Sequence, residues 1–244
     1  MCIAILKPQG KQIKKSTLKE CFISNPDGSG FMFNQDNSLH IFKGYMTFEE
    51  FWASYNTQDT ASKNTLIHFR IKTHGIISKE NCHPFIISEE IGFIHNGIID
   101  IDTKPLESDT MAFNREVLKK MPNIKTLIHN QSFQELLSFR IDGSKLVFLD
   151  NTGNYAIINE DLGLWDNDIW FSNDSYKPYK PKKKKWYNTF TGYNVYQKEE
   201  KVCFICSSIL EESFEVENEM CEECLEEDRT YFQHLYDEHK KYGI

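Results

Sequence analysis

The chain has 244 residues, of which 40% are hydrophobic and 14% aromatic, so it is long and apolar enough to bury a sizeable core. Its formal net charge of −8 argues against a nucleic-acid-binding surface. No apolar run reaches the roughly 20 residues of a membrane-spanning helix, and no secretory leader is seen, so we expect a cytoplasmic protein whose seven cysteines are thiols or metal ligands.

The first residues, MCIAIL, place a cysteine directly after the initiator methionine. Residues 2–7 predict a short buried strand, and Cys2 has a simple interpretation as a small buried residue that opens it. Because Cys2 is small, we also expect removal of Met1. Cys2 would then carry a thiol and a free α-amine on one carbon, which are a nucleophile and a base in a single residue.

The next segments predict a small mixed unit. In chain order they are a short helix from Leu18 to Phe22 capped by Ser16, a β-hairpin formed by residues 28–34 and 38–45 around the turn QDN, a helix over 47–56, and a strand over 64–71. Aromatic residues recur at helical spacing at Phe48, Phe51, Trp52 and Tyr55, and this stripe is typical of a core-facing helix.

The second half of the first domain predicts two strands, then two helices, then three more strands. Residues 84–96 predict two strands, Ser108 to Met121 a helix that Pro122 ends, Ser132 to Phe139 a second helical stretch, and residues 145–173 three strands. This order predicts an α+β domain over residues 1–175, in which strands from both ends of the chain meet in layered sheets with helices outside.

The composition changes after this domain. Residues 176–200 begin with a Pro- and Lys-rich stretch that predicts a solvated linker. The small acidic unit 201–244 contains two C-x2-C pairs, formed by Cys203, Cys206, Cys221 and Cys224. Four thiolates in this pattern predict a tetrahedral, zinc-ribbon-like structural zinc site, although iron binds the same ligand set. The acidic surroundings favour docking of a protein over docking of a nucleic acid.

Three segments of the first domain fit one chemistry when they are taken together. Each has a simpler interpretation: Arg70 as a surface charge at a strand end, Asn96-Gly97 as a hairpin turn, and Asp109 as an acid in the first turn of a helix. Cleavage of an amide by a thiol requires a nucleophile, a base and donors for the oxyanion. Cys2 could supply the first two, and Asn96 with the backbone N–H of Gly97 could supply the donors.

A zwitterionic amino acid also needs a cation and an anion for its two ends. Arg70 can bind an α-carboxylate with two hydrogen bonds, and Asp109 can bind an α-ammonium. The side-chain amide of such a ligand would then lie toward Cys2. The pattern predicts amide hydrolysis and needs no catalytic metal.

The segments MCIAI, HFRIKTHG, NCHPF, HNGII and SDT occur in the order and at the spacing of a known family. Over roughly residues 2–175 the chain resembles the class II glutamine amidotransferases of the N-terminal nucleophile hydrolase superfamily, in particular the glutaminase domains of glucosamine-6-phosphate synthase and amidophosphoribosyltransferase. The resemblance implies a four-layer αββα sandwich and hydrolysis of glutamine through a γ-glutamyl thioester on Cys2.

The resemblance also implies roles for individual residues. By position, Asn96 and Gly97 are the oxyanion donors, Arg70 holds the carboxylate, Asp109 holds the ammonium group, and Thr73 and His74 form the pocket wall. His83 is expected to be structural. Zinc is the only cofactor expected, in the structural site of the C-terminal unit.

The acceptor of the ammonia is open. Family synthases carry a second domain that consumes it, and residues 176–244 are too few to form one. We therefore expect either a partner protein that receives the ammonia or simple hydrolysis of glutamine or a related γ-glutamyl substrate. Two alternatives remain: a hydrolase of the same fold that acts on another amide, and a non-enzymatic protein that binds a partner.

Overall fold

The computed structural model describes residues 2–72 and 76–177. Its strands are β1 (Ile3–Lys7), β2 (Ser29–Gln35), β3 (Ser38–Tyr45), β4 (Thr65–Phe69), β5 (Phe85–Ser88), β6 (Ile91–Asn96), β7 (Lys145–Asp150), β8 (Tyr155–Ile158), β9 (Leu164–Asp166) and β10 (Ile169–Phe171). Its helices are α1 (Lys15–Ser24), α2 (Phe48–Tyr55), α3 (Asp109–Glu116), α4 (Ile124–Leu127) and α5 (Gln131–Ile141). The predictions for residues 178–244, which include most of the linker and the zinc unit, lie outside these ranges.

The strands form two antiparallel sheets. The first has the order β3-β2-β4-β1-β10-β9 and the second the order β5-β6-β7-β8. Strand β1 lies in the middle of the first sheet, between β4 and β10, with Ile3 opposite Phe69 and Ile5 opposite Phe171. The prediction of an α+β domain in which strands from both ends of the chain meet is confirmed.

Three apolar clusters hold these elements together in layers. Helices α1 and α2 pack on the outer face of the first sheet, and α3 to α5 pack on the outer face of the second. Between the sheets, Leu6 and Leu66 of the first meet Val147 and Leu149 of the second. Alternate residues of a strand point to opposite faces, so each central strand contributes to two clusters. The described residues are thus layered as helices, sheet, sheet and helices.

The β2–β3 hairpin and helix α2 agree with the predictions made from their local sequence. The β2–β3 hairpin turns at Asp36 and Asn37, which have φ values of 51° and 55°, as a two-residue hairpin turn requires. Helix α2 begins at a capping box in which Thr47 Oγ1 accepts from the Glu50 N–H while the Glu50 carboxylate accepts from the Thr47 N–H. Its aromatic stripe lies in the core beneath the first sheet.

Tertiary packing changed other elements. Helix α1 begins at Lys15, one residue before the predicted cap Ser16, and no side chain caps it. The helix predicted to reach Met121 ends at Glu116, and a 3₁₀ turn, Leu118–Lys120, follows. Leu118 is fully buried in the cluster under the second sheet, so this tighter turn places an apolar side chain that a continued α-helix would direct elsewhere.

Strand β9 and the short helix α4 were not predicted. β9 pairs with β10 through a two-residue turn at Asn167 and Asp168, both with positive φ. Among the described residues, no helix combines the length and the apolar character that crossing a membrane requires.

Candidate active site

Three of the predicted site residues, Cys2, Arg70 and Asn96, lie where strands of the two sheets end. Cys2 directly precedes β1, and Arg70 directly follows β4. Because Ile3 pairs with Phe69, the antiparallel register brings Cys2 and Arg70 to the same side of the first sheet. This side is formed by the ends of central strands, and we call it the site edge. Asn96, the last residue of β6, reaches this edge from the second sheet, because its Nδ2 donates to the Cys2 carbonyl. Residues 94 positions apart in sequence are therefore in direct contact.

The Cys2 thiol contacts the backbone just beyond Arg70. Sγ lies 3.2 Å from the Ile71 carbonyl oxygen, to which it donates, and 3.4 Å from the Ile71 nitrogen, which donates to it. Burial raises the pKa of the thiol, while the Ile71 N–H and the Arg70 guanidinium act in the opposite direction. Because burial dominates, the thiol is protonated at neutral pH, and a base must remove its proton before it can act as a nucleophile.

Arg70 is a buried cation held by its own backbone. Its N–H donates to the Gly28 carbonyl at 2.8 Å, and its carbonyl accepts from the Asp27 N–H at 2.8 Å. Only 4% of the surface of Arg70 is exposed to solvent. The Asp27 carboxylate in turn accepts from the Lys72 N–H at 2.7 Å, which secures the chain on the far side of Arg70. These contacts fix the backbone from which the Arg70 guanidinium extends, and a guanidinium can bind a carboxylate with two hydrogen bonds.

The Cys2 carbonyl accepts two side-chain hydrogen bonds. One donor is Asn96 Nδ2, and the other is Asn173 Nδ2, at 2.7 Å. Asn96 is fully buried, and within the described residues its Oδ1 has no hydrogen-bond partner. An amide group has two N–H donors, so Asn96 can hold the Cys2 carbonyl with one and retain the other for a ligand.

Gly97 occupies a position that excludes a side chain. Its φ is +140°, and a Cβ built there would lie 2.2 Å from Ser144 Oγ and 2.8 Å from Ser144 Cα. Ser144 itself is held by a hydrogen bond from Oγ to the Ile98 carbonyl, 2.8 Å long. The glycine therefore allows the backbone after β6 to turn closely over the start of β7.

Asp109 is bound to the same turn. One carboxylate oxygen accepts from the Ile99 N–H at 2.8 Å, and the other from the Thr110 N–H at 2.8 Å. Asp109 is 6% exposed and is the first residue of α3, where the helix dipole stabilises its negative charge. The Thr110 hydroxyl also donates to the second oxygen, at 3.4 Å. An ionised carboxylate accepts about four hydrogen bonds, so these contacts leave capacity for an ammonium group.

Three buried histidines lie behind this edge. The His68 and His83 rings stack with their centroids 3.9 Å apart, and His83 Nδ1 accepts from the His95 N–H at 3.1 Å. His68 Nε2 donates to the His95 carbonyl, and His95 Nδ1 pairs with Thr110 Oγ1 at 2.7 Å. His83 thus packs between the sheets, in agreement with a structural role, and its peptide bond to Pro84 is cis.

Several predicted residues lie outside the described ranges. They are Thr73 and His74, and the four cysteines of the predicted zinc site, Cys203, Cys206, Cys221 and Cys224. Within the ranges that the structure describes, no group of three or more His, Cys, Asp or Glu side chains could hold a metal ion. The zinc site remains a prediction.

Two polar residues at this edge were not singled out from the sequence. Asn173 binds the Cys2 carbonyl, and Asp27 binds the backbone after Arg70. Asn173 follows the strand that was expected to close the domain, in the segment DIWFSND, so its place at a strand end was the available signal. Asp27 lies in a turn segment, PDGSG, where an aspartate is common without any function.

The chain is similar to solved structures only. No family model matches the chain. No curated protein sequence matches it. Solved structures do match, among them the glutamine phosphoribosylpyrophosphate amidotransferase from B. subtilis in complex with ADP and GMP, with a TM-score of 0.44 and 13% sequence identity. The match covers 70% of this chain and 41% of that chain, so the similarity spans less than half of that protein.

Proposed function

We propose that this protein hydrolyses the side-chain amide of glutamine through a γ-glutamyl thioester on Cys2 and releases ammonia. The observation that carries the proposal is the meeting of Cys2, Arg70 and Asn96, from three distant segments, at one edge of the two sheets. The motifs that resemble class II glutamine amidotransferases contain these same residues.

The first half of the reaction uses the α-amine of Cys2, which is free once Met1 has been removed. The amine takes the thiol proton as Sγ attacks the amide carbon and the amide oxygen becomes an oxyanion. The proton then passes to the leaving nitrogen, the C–N bond breaks, and ammonia departs. Asn96 and the Gly97 N–H stabilise the oxyanion. The buried, protonated state of the thiol is the reason that a base is required.

In the second half, water attacks the thioester carbon with the same amine as base. The C–S bond breaks, glutamate leaves, and the proton returns to the thiol. Throughout, Arg70 holds the α-carboxylate of the substrate and Asp109 its α-ammonium, with Thr73 and His74 forming the pocket wall. The two charged contacts select an α-amino acid with a side chain long enough to reach Cys2.

The proposal includes a partner protein that receives the ammonia. We further propose that the predicted zinc unit, residues 201–244, mediates this docking and takes no part in the chemistry. If the protein instead hydrolyses another γ-glutamyl amide, Arg70 and Asp109 would hold the same γ-glutamyl end, and only the leaving amine would differ.

The test is glutamine turnover by the purified protein together with labelling of Cys2. We expect equal release of glutamate and ammonia, loss of both in Cys2→Ala, an intact mass that lacks one methionine, and labelling of Cys2 alone by an electrophilic glutamine analogue. Cys21→Ala, which removes a fully buried thiol beneath the first sheet, serves as the control. Activity in Cys2→Ala, or full activity in protein that retains Met1, would contradict the mechanism.

A further inference from the structure

Among the polar groups of Cys2, the carbonyl is the one that the proposed chemistry does not use. The thiol is the nucleophile and the α-amine the base, so both must be able to exchange their hydrogen bonds during the reaction, as the long contacts of 3.2 and 3.4 Å between Sγ and Ile71 allow. The first residue of a chain is also anchored covalently on one side only, and chain termini fray unless they are held. A nucleophile at this position therefore needs another anchor, and the carbonyl oxygen is available for it.

The structure fills both acceptor positions of this carbonyl with side-chain amides. Asn96 reaches it from β6 of the second sheet, and Asn173 reaches it from the segment after β10, 171 positions away in sequence. A carbonyl oxygen has two lone pairs, so these two donors saturate it. Together they fix the orientation of the Cys2 carbonyl and hence the directions in which the amine and the thiol point.

Asn173 is itself oriented by its surroundings. Its Oδ1 accepts from the Ser175 N–H at 3.0 Å, which turns Nδ2 toward Cys2. The Ser175 hydroxyl accepts from Asn25 Nδ2 at 3.2 Å, and the same Asn25 nitrogen donates to the Cys21 carbonyl at the end of α1. A donor supported in this way is pre-organised, and its bond to Cys2 requires little additional ordering.

The neighbouring residue completes the attachment. Ser172 N–H donates to the Ala4 carbonyl, and its hydroxyl accepts from the Ala4 N–H, both at 2.9 Å. Residues 172 and 173 thus bind the carbonyls of Ala4 and Cys2, the third and first residues of the segment that begins at Cys2. The end of β10 holds the start of β1 through both a backbone and a side-chain contact.

We propose that Asn173 is a positioning residue that, with Asn96, holds the Cys2 carbonyl and thereby aims the thiol at the substrate. The inference rests on the proposed function. Asn173 acts through Cys2 and needs no contact with the substrate. Its loss should lower kcat and leave substrate affinity nearly unchanged, because Arg70 and Asp109 bind the substrate independently of it. Misplacement of a reacting atom by about 1 Å lowers rates about 100-fold.

The test compares Asn173→Ala and Asn173→Asp with Asp174→Asn, an exposed neighbour, as control. Asp at position 173 keeps the acceptor for Ser175 but has no donor for the carbonyl. Both Asn173 variants should lose about 10- to 100-fold in kcat with KM for glutamine within twofold, and the control should match the wild type. NMR relaxation of 13C-labelled cysteine, with the Cys2 signal assigned from Cys2→Ser, should show increased motion of Cys2.

The two proposals fail in different ways. If the wild-type protein releases no ammonia from glutamine, the proposed function is wrong, and the relaxation measurement still decides whether Asn173 orders Cys2. If the wild type is active and folded Asn173 variants keep kcat within twofold, or if Cys2 stays as ordered as in the wild type, the positioning role is wrong. An Asn173 variant whose KM rises while kcat is unchanged would also overturn it, because that result indicates a substrate contact.

Discussion

At the scale of single residues, hydrogen bonds within the protein fix some atoms of the candidate site, and other atoms remain available to bind a ligand. Backbone N–H groups hold the Asp109 carboxylate, and neighbouring backbone segments hold both sides of Arg70. Such contacts restrict the side chains before a substrate arrives, so less conformational freedom is lost on binding. The substitutions that test the site should therefore remove a charge while keeping these supports.

Arg70 and Asp109 should each be required for binding of an α-amino acid. We expect Arg70→Ala and Asp109→Asn to lower kcat/KM for glutamine by the equivalent of about 2–5 kcal/mol, because each leaves a ligand charge unpaired in a buried setting. Asn at position 109 would keep an acceptor for only one of the two backbone N–H groups that bind Asp109, so circular dichroism should first establish that Asp109→Asn is folded. Steady-state kinetics measure the effect.

The matched control for this prediction is Arg140→Ala, which removes an arginine at the exposed end of α5. It should leave kcat/KM unchanged. Normal turnover of glutamine by both site variants would show that these charges do not contact the substrate.

Gly97 should tolerate no side chain. Gly97→Ala adds a Cβ against Ser144 and forces alanine to a positive φ, and we expect it to lower the free energy of unfolding by about 2–5 kcal/mol. Gly143 provides the comparison, since its φ of +73° imposes backbone strain while no atom lies within 4 Å of an added Cβ. Gly143→Ala should cost only about 1–2 kcal/mol in urea unfolding, and equal costs would show that the Ser144 contact is unimportant.

At the scale of elements, the two sheets are joined near the site by polar contacts as well as by apolar packing. His68 of β4 donates to the His95 carbonyl of β6, and His83, just before β5, stacks on His68. Burial lowers the pKa of His68 to about 3 and that of His95 to about 4, and it lowers the pKa of His83 as well. All three are neutral in the folded protein at neutral pH.

This arrangement predicts loss of stability in mild acid. In the unfolded chain histidines titrate near pH 6.5, so below that pH the unfolded state binds more protons than the folded state and the free energy of unfolding falls as pH decreases. His68 and His95 each contribute up to about 1.4 kcal/mol per pH unit between pH 6.5 and about 4, and His83 contributes in the same direction. Urea unfolding at pH 7.0 to 5.0 measures the slope.

A variant separates the histidines from other acid-sensitive groups. His83→Asn should reduce the slope by about one proton, whatever its effect on stability at pH 7. A slope that is flat in the wild type, or identical in the variant, would contradict a neutral buried His83.

At the scale of the whole molecule, the candidate active-site residues Cys2, Arg70, Asn96, Gly97 and Asp109 all lie before residue 178. Tyr176 packs the end of this part of the chain against β9 and β10. The centroids of its ring and the Phe171 ring are 3.9 Å apart, and its hydroxyl donates to the Asp166 carboxylate at 2.7 Å. A chain shortened within these residues would lose that contact, whereas one that ends at Lys177 would retain it.

If the proposed function and the predicted zinc site are correct, a chain of residues 1–177 should hydrolyse glutamine and bind no zinc. We expect elemental analysis to find one zinc ion in the full chain, bound by Cys203, Cys206, Cys221 and Cys224, and none in the shortened one. Cys203→Ser in the full chain is the control that removes the metal without removing residues. A full chain purified without chelator that contains no zinc would contradict the site, and a folded but inactive shortened chain would make the C-terminal unit part of the chemistry.

Local patterns in the sequence determined much of this protein. Hairpin β2–β3 follows from a turn of two residues that accept positive φ, and α2 follows from a capping box with an aromatic stripe. The residues Cys2, Arg70 and Asn96 could also be singled out from the sequence, because amide hydrolysis needs a nucleophile and oxyanion donors and a zwitterionic amino acid needs a cation for its carboxylate.

Only the tertiary structure decided the contacts between strands that are distant in the chain. The order of β4, β1 and β10 places Asn173 on the Cys2 carbonyl, and no local pattern encodes a contact between residues that are 171 positions apart. Burial of Leu118 likewise ended α3 earlier than its own periodicity indicates. Propensity and periodicity act over a few residues, whereas the packing of whole sheets and helices selects among the arrangements that those local preferences allow.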